Sequence, residues 1–152
     1  MKKNKIAIGS DHAGFQIKQD IIEYLRKKDF VFYDFGTFTD KRADYPDYAH
    51  PVGIAIENDE FDIGIVVCGS GNGVNMVVNK YQNVRSALCW KVEVAHLARL
   101  HNDANICAIP ARFVEKEDAL KIVEEFLITE FEGGRHLHRI NKIGLFTKRL
   151  NS

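Results

Sequence analysis

Five short runs rich in aliphatic and β-branched residues alternate with longer segments of helical period, and this alternation constrains the fold more than any other feature of the 152-residue chain. The runs are KIAIGS (5–10), FVFYDFG (30–36), DIGIVVCG (62–69), VRSALCW (84–90) and NICAIP (105–110). Helical patterns fall between and after them, at about 15–28, 46–59, 72–80, 92–100, 114–131 and 136–149. Strands that read as nearly continuous apolar runs are buried on both faces, and helical crossovers between them favour parallel pairing with right-handed connections. The pattern therefore predicts an α/β chain: a three-layer α/β/α Rossmann-like domain with a five-stranded parallel sheet. No linker, repeat or low-complexity segment interrupts it, so residues 1–152 read as one domain.

The first helix shows the logic. Phe15, Ile17, Ile21, Ile22 and Leu25 recur at three- and four-residue spacing, with Lys18, Glu23, Arg26 and Lys27 assigned to the opposite face. In an open parallel sheet, ligands bind beyond the carboxyl ends of the strands, near a topological switch point. Strand one ends in Ser10, Asp11 and His12, and strand two is followed by Asp44 and Tyr45. Strand three ends in Cys68 and a glycine loop, strand four in Cys89 and Trp90, and strand five in Pro110 and Arg112. Polar and reactive residues thus collect on one edge.

The loop CGSGNG (68–73) asks what it binds. Gly69, Gly71 and then Val74 break the dinucleotide pattern at its third glycine, and no Lys-Ser or Lys-Thr follows to complete a phosphate-binding P-loop. What remains is a strand, a loop of backbone N–H groups and a helix N-terminus, an environment suited to negative charge on a ligand or in a transition state. The plain alternative is a tight strand-to-helix turn that needs glycine only for its backbone. Cys68 favours chemistry, because the positive end of a helix favours the thiolate form of a thiol placed there. Ser70 adds a hydroxyl able to give or take a proton.

Other groups carry alternatives of their own. Asp11 can orient His12 or simply cap the helix that follows. His101 closes the fourth helix, where an imidazole can also do no more than complement the helix dipole. His96 and His101 are five apart and share no face, and His136 and His138 have arginine neighbours, so no metal site is expected. Arg135 and Arg139, four apart, form one cationic stripe, either solvated or a phosphate clamp.

Lys plus Arg equals Asp plus Glu at 21 each, which removes a global field for nucleic acid or an anionic membrane. No apolar run reaches the ~18 residues of a membrane helix, and MKKNKIAIGSDHAGF lacks a signal-peptide apolar stretch. A cytoplasmic protein is expected. Cys68, Cys89 and Cys107, odd in number and without CxxC spacing, read as reduced thiols, Cys107 as a core residue.

The set GSDHAGF (9–15), DYPDYA (44–49), CGSGNG (68–73), NKYQNVRSAL (79–88), HNDAN (101–105), ARF (111–113) and EGGRHLHR (132–139) resembles the type B ribose-5-phosphate isomerases, in the family shared with allose- and galactose-6-phosphate isomerases, over almost the whole chain. The resemblance implies reversible conversion of ribose 5-phosphate and ribulose 5-phosphate through a cis-enediolate, in the non-oxidative pentose phosphate pathway, without metal or organic cofactor. It makes Cys68 the base that takes the C2 proton, where another branch of the family carries a Glu at the position of Val74. It makes Ser70 a proton shuttle, His101 the ring-opening acid/base with Asp11 and Tyr45 nearby, and Asn102 a sugar-binding residue. The backbone of Gly69, Ser70, Gly71, Asn72 and Gly73 would hold the enediolate. His12, Arg112, Arg135 and Arg139 would hold the phosphate, the two last from the partner subunit, implying a homodimer with shared sites that could pair into a tetramer. Cys89-Trp90 replaces a smaller polar pair of relatives at the site mouth.

Two other readings compete: a phosphosugar-binding module without turnover, and a thiol redox protein pairing Cys68 with Cys89. A hexose 6-phosphate substrate is the alternative within the isomerase reading, since phosphate and enediolate chemistry is common to both sugars.

Overall fold

The computed structural model describes residues 4–144. Its elements follow in the order β1 (Lys5–Ser10), α1 (Phe15–Lys27), β2 (Val31–Asp34), α2 (Tyr45–Glu57), β3 (Ile63–Cys68), α3 (Asn72–Val78), β4 (Ser86–Leu88), α4 (Val92–Asn102), β5 (Ile106–Pro110), α5 (Lys116–Ile128) and α6 (Arg135–Asn141). All pairings are parallel, and the strand order is β2-β1-β3-β5-β4. The five-stranded parallel sheet read from the sequence is therefore present. Residues 145–149, to which the helical pattern of the last segment extends, lie outside the described residues.

Alternation along the strands divides the core in two. Ile6, Ile8, Ile63, Ile65, Val67, Cys107 and Ile109 pack with Ile21, Leu25, Ala95, Ile122 and Phe126, the inner faces of α1, α4 and α5. Ala7, Val66, Cys68, Ile106 and Ala108 pack with Val52, Ile56, Val74 and Val78 of α2 and α3. Fully burying an aliphatic side chain of this size contributes about 1.5–3 kcal/mol. Every residue of β3 is buried, as a central strand covered on both faces must be.

Lys18 departs from the sequence reading. Residue type groups it with the charged face of α1, yet it is fully buried, its Nζ 2.6 Å from Asp34 Oδ1. Position decides here and residue type does not: 18 is three residues after Phe15 and four before Ile22, the middle of the apolar stripe. Burial pushes the ammonium below its ordinary value, and the hydrogen bond and charge of Asp34 oppose that shift. The Phe15 and Phe38 rings lie 5.6 and 5.5 Å from the charge. Asp34 Oδ1 also accepts the Gly36 N–H (2.9 Å), and Gly36 O accepts the Ser10 N–H (2.7 Å). The buried pair thus ties the exit of β2 to the end of β1, immediately before Asp11.

Removing the carboxylate strands a buried cation, whereas removing the lysine leaves a carboxylate that is still one-fifth exposed (21%) and still holds Gly36. Asp34→Ala is expected to cost about 3 kcal/mol in urea unfolding, the low end for breaking a buried pair. Lys18→Met should cost clearly less, and the reverse order would show that the pair does not act in this way.

Candidate active site

The switch point lies between β1 and β3, whose chains leave in opposite directions to β2 and onward to β4. A pocket of about 490 Å³ opens beyond their carboxyl ends, lined by Asp11, His12, Tyr45, Cys68, Ser70 and Arg112 among others. These residues follow β1, β2, β3 and β5, the convergence of strand exits that parallel topology imposes.

The loop after Cys68 is fixed by close packing. Gly71 has φ +74°, a left-handed conformation that a β-carbon disfavours, and a β-carbon there would also collide with Leu88 Cδ1. A β-carbon on Gly73 would meet the Tyr45 ring at 2.7 Å, so the missing side chain lets Tyr45 lie against the loop. Ala111 and Arg112 donate their backbone N–H groups to Cys68 O and Gly69 O, both at 2.9 Å. These bonds stitch the β5 exit to the β3 exit and lay the Arg112 guanidinium beside Gly69. The Asn72 N–H donates to Ser70 Oγ at 3.3 Å. The first turn of any helix leaves its N–H groups without intrahelical acceptors, and those of α3 start at this loop. Arg112 and these N–H groups together form an environment for an anion.

Of the two roles the sequence left open for Asp11, the capping one is seen: its Oδ1 accepts the Gly14 N–H at 3.0 Å at the head of α1, and the residue also lines the pocket. His12 Nδ1 lies 3.2 Å from both the N–H and the carbonyl oxygen of Ala43, which holds the ring while Nε2 stays available.

Of the predicted residues, Gly71 and Asn72 belong to the loop without lining the pocket, and four others lie away from both. His101 and Asn102 end α4, a crossover helix that runs back from the carboxyl edge of β4 to the amino edge of β5. Cys68 is paired with Pro110 at the far end of β5. Five strand residues at ~3.3 Å each, or eleven helical residues at ~1.5 Å, both separate the two groups by about 16 Å. His101, which the resemblance sets near Asp11 and Tyr45, and Asn102 thus lie away from the strand exits of their own chain. Arg135 and Arg139 go with them, since α6 packs on α4 and the His101 ring stacks on His136 with centroids 4.2 Å apart. Sequence reasoning missed Glu132, whose carboxylate lies 3.1 Å from His136 Nε2 and 3.9 Å from His101 Nε2. Its spacing of four from His136 was the available signal.

The cysteines are corrected too. Cys68 belongs to the α2/α3 face and Cys89 to the other, with β5 between their strands, so they cannot pair. Cys89 is fully buried and not at a site mouth; it neighbours Cys107, whose thiol is pushed well up by the Cys89 hydrogen bond and by burial. Trp90 is half exposed (54%).

Comparison with known proteins adds an independent line. Ribose-5-phosphate isomerase B of Escherichia coli is 40% identical over 147 residues, covering 97% of this chain and 99% of that protein. A probable ribose-5-phosphate isomerase B of Mycoplasma genitalium is 43% identical, covering 94% and 95%. Among solved structures, that of the Clostridium thermocellum ribose-5-phosphate isomerase B superposes with a TM-score of 0.94 at 43% identity, covering 96% of this chain and 99% of that one. The Mycoplasma genitalium structure, solved with bound ribulose 5-phosphate, gives 0.90 at 42%, covering 95% and 96%. The Ribose/Galactose Isomerase family matches residues 6–143, so this chain belongs to that family.

Proposed function

We propose that the protein is an aldose-ketose isomerase that interconverts D-ribose 5-phosphate and D-ribulose 5-phosphate through a cis-enediolate. The observation that carries this reading is the pocket itself: a thiol at the end of β3, a hydroxyl two residues on, and an anion-holding loop face one another there. The relatives' names point to the same substrate.

The reaction moves one proton between C2 and C1. Cys68, as thiolate, takes the C2 proton; charge builds on the carbonyl oxygen, where the N–H groups of Gly69 to Gly73 receive it. One such donor is worth ~3 kcal/mol in comparable oxyanion sites. Ser70 moves the hydroxyl proton between O1 and O2, and Cys68 returns its proton to C1. Val74 is buried in the core and offers no carboxylate, so the loop has no base other than Cys68. His12 and Arg112 hold the phosphate with Tyr45 and Asp11 beside the sugar.

Ring opening and the remaining phosphate contacts belong to His101, Asn102, Arg135 and Arg139, which one chain carries about a strand length away from its own Cys68. Two copies related by a two-fold axis bring each half to the other, so the working unit is a homodimer with two shared sites. Family membership also admits hexose 6-phosphates, one carbon longer.

A coupled assay with ribose 5-phosphate should give turnover, and Cys68→Ala should lower kcat by about 10²–10⁴-fold, the range for loss of a general base, with sugar phosphate still bound. A fully active variant would overturn the assignment. Arg139→Ala should mainly raise KM. Mixing Cys68→Ala with Arg139→Ala chains at subsaturating substrate should restore about one-quarter of wild-type activity, because half the dimers are mixed and one of their two sites is intact. No recovery after verified subunit exchange would sink the shared site. For substrate, kcat/KM should be at least about tenfold higher for ribose 5-phosphate than for allose or galactose 6-phosphate, within the 1–3 kcal/mol that one methylene-sized change is worth.

A further inference from the structure

The end of α4 holds a cluster that the carbon-acid chemistry does not use. The His101 and His136 rings stack at 4.2 Å between centroids and 16° between planes. Glu132 Oε2 reaches toward both Nε2 atoms, at 3.9 and 3.1 Å. His136 is buried (4% exposed), and its enclosed Nε2 meets Glu132 off the line of a good hydrogen bond. The connection between α5 and α6 is pinned here too, since the Glu132 N–H donates to Leu100 O at 3.0 Å in the last turn of α4.

Two imidazoles and a carboxylate with ligand atoms within 4.8 Å have the composition of a metal site. The geometry argues otherwise. Nearly parallel stacked rings send their Nε2 lone pairs side by side, whereas zinc ligands at about 2.0–2.1 Å must converge on one point. Stacking is instead a means of fixing a ring's plane. The His101 side chain is about one-third exposed (35%) and sits at a helix end, so without a neighbour it would sample several rotamers. The ring beneath it is suited to holding it in place. Burial first, then the charges of His101, Arg135 and Arg139, press His136 below the ordinary imidazole range, against the pull of Glu132.

We propose that His136 and Glu132 are positioning residues for His101, holding its imidazole in the orientation that opens the sugar ring while leaving carbon-proton transfer to the partner's half of the site. The inference rests on the isomerase reading and deepens it. It divides the reaction between two sets of residues, and the division can be measured separately. Ribulose 5-phosphate cannot close a furanose, because its C5 oxygen carries the phosphate. Exchange of its C1 hydrogen with solvent deuterium therefore needs the base and the enediolate loop but no ring step. Conversion of ribose 5-phosphate needs both.

The experiment compares these two rates in the full-length protein, by coupled assay and by NMR of deuterium wash-in, for wild type, His136→Ala, His136→Phe and Glu132→Gln. His136→Ala is expected to lower kcat/KM for ribose 5-phosphate by roughly 10–100-fold, the cost of a misplaced catalytic group, with C1 exchange kept within about twofold. His136→Phe, which restores a flat ring, should recover most of the loss, and Glu132→Gln should fall between. If His136→Ala does not fold, the Phe and Gln variants still decide. Exchange falling in step with conversion would mean a merely structural role, and unchanged conversion in all three variants would remove any role. Both outcomes overturn the proposal. A wild type with no turnover of ribose 5-phosphate would instead sink the isomerase reading, and this inference with it.

Discussion

Parallel pairing of β1, β3 and β5 is the constraint from which the rest follows. Parallel strands need crossovers, and each crossover helix returns the chain from the carboxyl edge of the sheet to the amino edge. Strand exits and helix exits are therefore segregated. Asp11, His12, Cys68 and Arg112 follow strands and meet in one pocket; His101 and Asn102 end a helix and cannot join them in the same chain. For His101 to serve Cys68, as proposed, a second copy is needed, and a two-fold arrangement that supplied one such site would supply the second.

The two faces of the sheet differ in what they pack. Toward α1, α4 and α5 the strands present Ile6, Ile8, Ile63, Ile65 and Ile109, bulky residues that fill the larger part of the core. Toward α2 and α3 they present Ala7, Gly64 and Ala108 among larger neighbours, and α2 comes close enough that a β-carbon on Gly64 would lie 2.9 Å from Val52 Cγ1. Cys68 is the last residue of β3 on this second face, 4% exposed, with Val74 beneath the loop. A thiol so enclosed meets only what the pocket admits. Backbone hydrogen bonds from Ala111 and Arg112 to Cys68 and Gly69 join the β5 exit to the loop, so the backbone from which Arg112 projects is fixed to the sheet centre.

Most of the fold was legible because hydrophobic period and strand length are local properties. All five strands and six helices appear near their sequence assignments, apart from the shortened β4 and the last helix, which ends at Asn141 where the sequence pattern runs on to 149, beyond the described residues. What was not legible depended on geometry across elements. Lys18 reads as a surface lysine until Asp34, sixteen residues away, supplies its counter-charge. Cys89 and Cys68 look alike as the ends of apolar runs, but strand parity puts them on opposite faces. The glycine loop was the most readable part of the site, because its meaning lies in adjacent residues. The edge to which His101 belongs follows from topology, and was readable from its place at the end of a crossover helix.

The shared site proposed above has a consequence for how its groups are held. The thiol and its loop rest on the sheet, where every neighbour is fixed by strand pairing. The imidazole rests on the last turn of a helix, where a partly exposed side chain has no ladder to restrain it. Helix ends therefore require local devices: α6 places a buried ring under His101, the connection that leads into α6 brings the Glu132 carboxylate beside it, and Arg135 and Arg139 lie along the same short helix. Under the proposed function, ring orientation and phosphate capture share one short support, so phosphate bound by Arg135 and Arg139 would be held next to the residues that position His101. Binding energy from a remote and unreacting group would in this way be spent on the acid that opens the sugar ring.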